Sequence, residues 1–162
     1  MLFFSILGNL SEDVDMNYSN TVTLSEQAYG ILTDAAEDCT GLWGAVWTLM
    51  GFARNVPMGE SDEKPNQSPE YETYVPQAQL ILKKLIDLNW IELYRGIAWP
   101  PSALTEVRVQ QDEIANIFSR VLYWEIPTGN TSGYICFAAT ESGKQIWRQG
   151  KQSFIGNQVF TA

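Results

Sequence analysis

The stretch YICFAATESGKQIW, residues 134–147, contains a short apolar run that passes directly into a polar segment of helical character. The run GYICFAAT predicts a buried strand, because it is short, apolar and preceded by the turn-forming segment PTGNTSG. Thr140 can cap a helix, since its hydroxyl oxygen can accept a hydrogen bond from a backbone N–H of the first turn. We therefore expect a strand that enters a short helix over ESGKQIWRQG, with Ile146 and Trp147 facing inward.

A second stretch, LILKKLIDLNWIELYR at residues 80–95, pairs a helix with a strand. A helix is predicted over residues 76–89, with Pro76 in its first turn and Asn89 ending it in the left-handed conformation. Its inward positions share a spacing of three or four residues: Ala78, Ile81, Leu82, Leu85 and Leu88. Residues 90–95 alternate apolar and polar side chains, which is typical of a half-buried strand.

The strongest helical periodicity lies in residues 23–52, where apolar side chains recur every three or four positions. Thr23 and Glu26 have the spacing of a capping box, so a helix should begin there. Gly41 and Gly44 weaken its middle and predict a kink, or a break into two helices, near residues 39–41. Gly51 is a candidate C-cap.

The remaining segments give weaker signals. Residues 54–73 contain three prolines and many charges, which predicts a long loop. Residues 110–120 predict a short helix with Ile114, Ile117 and Phe118 inward. VLYWEI, residues 121–126, fits either a strand or a continuation of that helix.

Composition limits the class of protein. With 45% hydrophobic residues in 162, the chain can bury a substantial core. No apolar run approaches the roughly 20 residues of a membrane-spanning helix, so no membrane association is expected. The start MLFFSILG lacks a basic segment and is followed by SEDVD, which does not resemble a secretory signal. It leaves open a mis-assigned start, with Met16 as the first residue, or a docked N-terminal segment.

The net charge of −9 is confined to one half of the chain. Residues 1–73 hold twelve Asp or Glu and two Lys or Arg, whereas the rest holds seven and eight. A solvated surface that maintains solubility would explain this distribution, and so would an acidic face that attracts a basic protein. Binding to phosphate groups is disfavoured, because its electrostatic contribution requires Lys or Arg.

The chain has no histidine and two cysteines, Cys39 and Cys136, far apart in sequence. The favoured interpretation is a pair of buried thiols in a reduced, cytoplasmic protein, and a disulfide stays open. Without histidine the usual general base and the commonest metal ligand are missing. We therefore predict no enzyme activity, no catalytic residues, no metal site and no cofactor.

Residues 80–95 and FAATESGKQIW at 137–147 together resemble the winged helix-turn-helix family. The matching features are a leucine-rich helix that leads at once into a strand, and a strand followed by T-x-x-G at Thr140 and Gly143. The resemblance covers about a third of the chain and implies that residues 76–88 are the recognition helix beside a wing. Glu70 and Glu72 precede that helix and would repel phosphate. A weaker resemblance, which rests on charge and on the lack of catalytic residues, is to small acidic bacterial immunity proteins.

The resulting prediction is an α+β fold with a winged-helix-like core, additional N-terminal helices and a small antiparallel sheet. Residues 1–22 form an N-terminal segment that is either disordered or docked, residues 23–150 a single domain with an acidic loop at 54–73, and residues 151–162 a tail. The predicted function is that of an immunity- or inhibitor-type protein that occludes a basic partner, such as a nuclease toxin. The alternative is a transcriptional regulator that binds DNA. The predicted partner-binding residues are Glu60, Asp62, Glu63, Glu70, Tyr71, Glu72 and Tyr74.

Overall fold

The computed structural model describes residues 22–54, 68–96, 106–127, 133–157 and 159–160. These residues form an α+β fold, as the sequence predicts. The helices are α1 (Leu24–Glu37), α2 (Leu42–Arg54), α3 (Tyr71–Asp87), α4 (Ile114–Phe118), α5 (Glu141–Arg148) and α6 (Lys151–Gly156). The strands are β1 (Thr40–Gly41), β2 (Ile91–Gly96), β3 (Val107–Arg108) and β4 (Tyr134–Ala139).

The four strands form one antiparallel sheet in the order β1-β4-β2-β3. The central pair, β2 and β4, is in register from Ile91 opposite Ala139 to Gly96 opposite Tyr134. Both strands were predicted from their apolar patterns. The pairing brings together the two stretches of sequence that most strongly suggested the fold.

Hydrogen bonds join the two stretches, between the turn from α3 to β2 and the junction of β4 with α5. Asn89 has a φ of 57°, the left-handed conformation predicted for it. The Thr140 hydroxyl donates to the Asn89 carbonyl at 2.7 Å, and the Thr140 N–H donates to the Trp90 carbonyl at 3.0 Å. The same hydroxyl oxygen accepts from the Gly143 N–H at 3.0 Å, which confirms the predicted helix cap. One threonine therefore both starts α5 and ties it to the preceding turn.

Gly143 is required at that junction because α5 lies directly against the chain at Trp90. A Cβ atom on Gly143 would lie 1.9 Å from the Trp90 carbonyl oxygen. Real Cβ atoms do not approach backbone oxygens so closely, so the glycine is a packing requirement.

The periodic segment at residues 23–52 forms two separate helices, α1 and α2. Thr23 and Glu26 form both hydrogen bonds of the predicted capping box. The predicted break occurs, and the two-residue strand β1 fills it and pairs with β4. The proposed C-cap at Gly51 is wrong, because α2 continues to Arg54.

The helix α3 begins at Tyr71, earlier than the predicted start at Pro76, so Pro76 lies inside the helix. A proline within a helix removes a backbone donor and is normally unfavourable. The additional turn is stabilised by tertiary contacts, because Tyr71 is only 5% exposed and belongs to the core. Residues 71–73, assigned to the acidic loop from the sequence, are therefore helical.

Short helical segments make up the rest of the described chain. The helix predicted at 110–120 is present as a 3₁₀ turn, Gln111–Glu113, followed by α4. Val121–Trp124 forms a second 3₁₀ turn, so residues 121–126 are neither a strand nor an extension of α4. Residues 151–156, expected as a tail, form α6, whose Phe154 is buried against Trp90 and Phe160.

The core lies between the sheet and the helices, with α1 in contact with α2, α3, α5, α6 and β4. Its largest fully buried side chains include several from α1, α2, α3 and β4, namely Ile31, Leu32, Leu49, Leu82, Leu85, Ile135 and Phe137. Within the described ranges, no helix is both long and apolar enough to traverse a bilayer.

Candidate functional site

The described residues form a surface groove of about 710 Å³ between the N-terminal half of α3 and residues 118–126. We call it the α3 groove. It is lined by Ser68, Pro69, Tyr71, Glu72, Val75, Pro76, Gln79, Phe118, Ser119, Val121, Trp124, Glu125 and Ile126. A cleft of this size with a mostly apolar lining and a few polar groups is typical of a binding site.

Hydrogen bonds across the floor hold the two walls of the groove together. The Tyr71 hydroxyl donates to the Trp124 carbonyl, and the Gln79 side-chain amide donates to the Phe118 carbonyl at 2.8 Å. The Trp124 indole N–H donates to the same Phe118 carbonyl at 3.1 Å. Because both α3 side chains bind backbone atoms of the facing segment, the shape of the groove is fixed before any ligand arrives.

The α3 groove is acidic. Its charged lining residues are Glu72, at the start of α3, and Glu125, on the opposite wall, and both are exposed. No Lys or Arg is among the lining residues that the structure describes. Burial, assisted by the charge of Glu125, raises the pKa of Tyr71, so its phenol stays protonated and donates its hydrogen bond. The described lining residues therefore contribute two carboxylates, while the Arg54 guanidinium contacts the lining residue Ser68 at 2.9 Å.

One edge of the groove is apolar and exposed to solvent. Val121, which lines the groove, is 69% exposed, and its neighbour Leu122 is 66% exposed. Both lie on the 3₁₀ turn that ends at the buried Trp124. Adjacent exposed large aliphatic side chains beside a cleft are a common feature of surfaces that bind other proteins.

The structure places the predicted contact residues in different environments. Glu72 lines the groove, whereas Glu70 is exposed and forms an ion pair with Arg54 at 3.4 Å. Tyr71 was predicted to be a surface anchor, and this is corrected, because the ring is buried in the core and forms the groove floor. Tyr74 is half-buried and packs against the core. Glu60, Asp62 and Glu63 lie outside the described residues.

Sequence reasoning missed the wall formed by Val121, Trp124, Glu125 and Ile126. The available signal was VLYWEI itself, a strongly apolar segment that fits no clear period. Because its conformation could not be assigned from the sequence, the orientations of its side chains could not be predicted. Trp124 points inward, whereas Val121 and Glu125 point outward.

Cys39 and Cys136 form a disulfide, with their Cα atoms 5.9 Å apart. The prediction of two separate reduced thiols is therefore wrong. The strand β1 pairs with β4 next to Cys39 and places the two residues side by side, although 97 positions separate them in the sequence. The bond ties the link between α1 and α2 to the centre of the sheet.

Among the carboxyl groups of the described residues, that of Asp34 has the largest pKa shift. Burial between α1 and α2 raises its pKa from 3.8 to about 6, the Thr48 hydroxyl bond opposes the rise, and the charge of Glu37 adds to it. The Thr48 hydroxyl lies within reach of both the Asp34 carboxylate and the Gly44 carbonyl. Protonated Asp34 can donate to Thr48, which then donates to Gly44, so both protonation states keep a hydrogen bond.

We expect the Asp34→Asn variant to be more stable than the wild type above pH 6. The raised pKa means that the folded state binds the proton more tightly than the unfolded state. Protonation of Asp34 therefore stabilises the fold, and this contribution is complete below pH 3.8. That contribution is lost as the pH rises through about 6. The expected gain at pH 8 is about 1 to 3 kcal/mol in the free energy of unfolding. Urea unfolding at pH 4 to 8 measures it.

The control is Asp112→Asn, at an exposed carboxylate on the 3₁₀ turn Gln111–Glu113. It should change stability by less than about 0.5 kcal/mol at every pH. An Asp34→Asn variant that is destabilised equally at all pH values would contradict the assignment.

Comparison of the chain with models of protein families, with characterised proteins and with solved structures finds no match.

Proposed function

We propose that this protein is a non-enzymatic binding module of the immunity or inhibitor type, and that the α3 groove receives a basic segment of a protein partner. The observation that carries the proposal is a preformed, mostly apolar cleft whose described lining residues include two carboxylates and no Lys or Arg. Occlusion of the partner's basic surface is the mechanism, with charge attraction speeding the encounter.

The chemistry of the groove favours a particular kind of segment. Glu72 and Glu125 lie on opposite walls and can pair with Lys or Arg side chains. Val121, with its exposed neighbour Leu122, offers an apolar contact that such a segment could cover with an aliphatic or aromatic side chain. A basic segment with one large apolar residue therefore matches the groove better than a nucleic acid, whose phosphates would meet the two carboxylates.

A winged-helix core is part of this proposal. Its support is the arrangement of α3, β2 and β4: α3 passes through Asn89 into β2, β2 pairs with β4, and β4 enters α5. On this core α3 is the helix that a DNA-binding relative would place in the major groove. Its exposed N-terminal side chains include Glu72, and Lys83 is paired with Asp87 at 2.7 Å. This arrangement favours a protein partner over DNA.

Reversal of the groove charges should abolish partner binding. In extracts of the source cells, the wild-type chain should retain a protein with a basic isoelectric point. The double variant Glu72→Lys and Glu125→Lys should bind that protein at least about tenfold more weakly, because two favourable pairings become repulsive. Affinity purification with mass spectrometry identifies the partner, and titration calorimetry of the purified pair measures the loss.

The matched control reverses two exposed carboxylates outside the groove, Glu37→Lys and Asp112→Lys. It gives the same net charge as the groove variant, so it isolates position from total charge. Equal weakening by both variants would indicate non-specific attraction, and retention of no basic protein by the wild type would refute the proposed function.

The DNA-binding alternative has its own measurement. A mobility shift with random duplex DNA should show no complex at physiological salt. A complex whose affinity falls steeply as salt increases would favour the regulator instead.

A further inference from the structure

The disulfide lies beside a third potential ligand, Glu106. The Glu106 carboxylate oxygen Oε1 is 3.9 Å from Cys136 Sγ, and one ligand atom from each of Cys39, Glu106 and Cys136 falls within 4.8 Å of the others. A disulfide sulfur carries no proton, so it cannot donate to this carboxylate. The 3.9 Å contact between the carboxylate and Cys136 Sγ is therefore not a hydrogen bond in the oxidised state.

We propose that the reduced form of this protein binds a zinc ion through Cys39, Cys136 and Glu106. Two thiolates and a carboxylate are a ligand set that suits Zn²⁺, with water as the fourth ligand. In a tetrahedral site with ordinary bond lengths, the sulfurs lie about 3.8 Å apart and each lies about 3.5 Å from the carboxylate oxygen. The observed 3.9 Å between Glu106 and Cys136 needs only a small adjustment.

The surroundings hold the carboxylate in place. The Tyr134 hydroxyl donates to Glu106 Oε1 at 3.0 Å, and the Tyr134 side chain is 2% exposed. Its ring lies over Gly96, where a Cβ would come within 2.0 Å of it. A hydrogen bond from a fixed donor to a liganding carboxylate is the usual second layer of a metal site.

The backbone around both cysteines belongs to the sheet or adjoins it. Cys136 is fully buried on β4, opposite Gly41, and Cys39 directly precedes β1. The backbone pairing of β1 with β4 does not involve the sulfur atoms, so we expect the reduced thiols to stay close to each other, one on β4 and one directly before β1. The sulfurs can then separate by side-chain rotation without moving the backbone far.

Reduction of the disulfide must precede zinc binding. A dithiol reductant supplies two electrons and two protons, the S–S bond breaks to give two thiols, and the reductant closes to its own disulfide. Zinc then binds both sulfurs as thiolates and releases two protons to solvent. The disulfide and the zinc site therefore exclude each other, and the metal would replace the covalent link between the α1–α2 connection and the sheet.

The test uses the full chain, reduced under anaerobic conditions and freed from reductant. Titration with Zn²⁺ against a chromophoric chelator should show one equivalent bound by the reduced chain and none by the oxidised chain. Titration with Co²⁺ should give thiolate charge-transfer absorption. Cys39→Ser and Cys136→Ser should each abolish both signals, and Tyr134→Phe and Glu106→Gln should weaken zinc binding by about tenfold or more.

The matched control is Asp87→Asn, an exposed carboxylate on α3 that lies 48 positions from Cys39 and 49 from Cys136 in the sequence, which should leave zinc affinity unchanged. If reduction unfolds the chain, circular dichroism provides the readout. Added zinc must then restore the helical signal, because metal binding is coupled to folding. Absence of stoichiometric zinc binding to the reduced chain, failure of that restoration, or unchanged affinity in Glu106→Gln would each overturn the proposal. None of these readouts depends on partner binding.

Discussion

The Gly143→Ala variant is expected to lose about 3 kcal/mol or more of unfolding free energy. The added Cβ would meet the Trp90 carbonyl oxygen at 1.9 Å, and that oxygen is backbone, so it cannot move aside as a flexible side chain would. Relief of the contact would break the Thr140 bonds that join β4 to the α3–β2 turn. Urea unfolding monitored by tryptophan fluorescence measures the loss.

Gly156→Ala is the matched control. Gly156 lies in α6, and a Cβ there would meet nothing within 4 Å. Alanine is the better helix former, so this variant should be as stable as the wild type or up to about 1 kcal/mol more stable. Similar stabilities for the two variants would show that α5 does not pack on Trp90 as described.

Reduction of the Cys39–Cys136 disulfide in metal-free buffer should lower the free energy of unfolding by about 2 to 5 kcal/mol. The bond closes a segment of 97 positions, and a long closed loop restricts the unfolded chain strongly. Domains of this kind typically have a stability of about 5 to 15 kcal/mol, so the loss is a large fraction of the total. Urea unfolding with and without reductant, in the presence of a chelator, measures it.

The control for that experiment is the double variant Cys39→Ser and Cys136→Ser. It should match the reduced wild type, and reductant should leave its unfolding curve unchanged. An oxidised wild type that is no more stable than this variant would contradict the paired cysteines.

The sequence predicts the parts of the fold whose signal is local. The Thr23 and Thr140 caps, the left-handed Asn89 and the strands β2 and β4 all follow from short patterns of side chains. Each of these features depends on residues within a few positions of one another, which is the range over which propensity and capping act.

The features that the sequence does not predict depend on long-range contacts. The strand β1 has two residues and no pattern of its own, so only its pairing with β4 defines it. The earlier start of α3 depends on the bond from Tyr71 to residue 124, and the disulfide depends on the same β1–β4 pairing. Such contacts override local preference once the core forms.

The candidate site shows the same division. Acidic residues near α3 were identified from charge, and Glu72 lines the groove. The facing wall was not identified, because the conformation of residues 121–126 is set by burial of Trp124 and not by a periodic pattern. The cysteine pair and Glu106 could not be associated, since the sheet brings them together from three separate parts of the chain.

Hydrogen–deuterium exchange of the chain with its purified basic partner tests the central claim, that the α3 groove is the binding surface. Slowed exchange is predicted in residues 68–79 and 118–126, the two walls of the groove, with α5 and α6 unchanged. Protection confined to β2, β4 or the C-terminal half of α3, with the groove walls exchanging as in the free chain, would contradict the account.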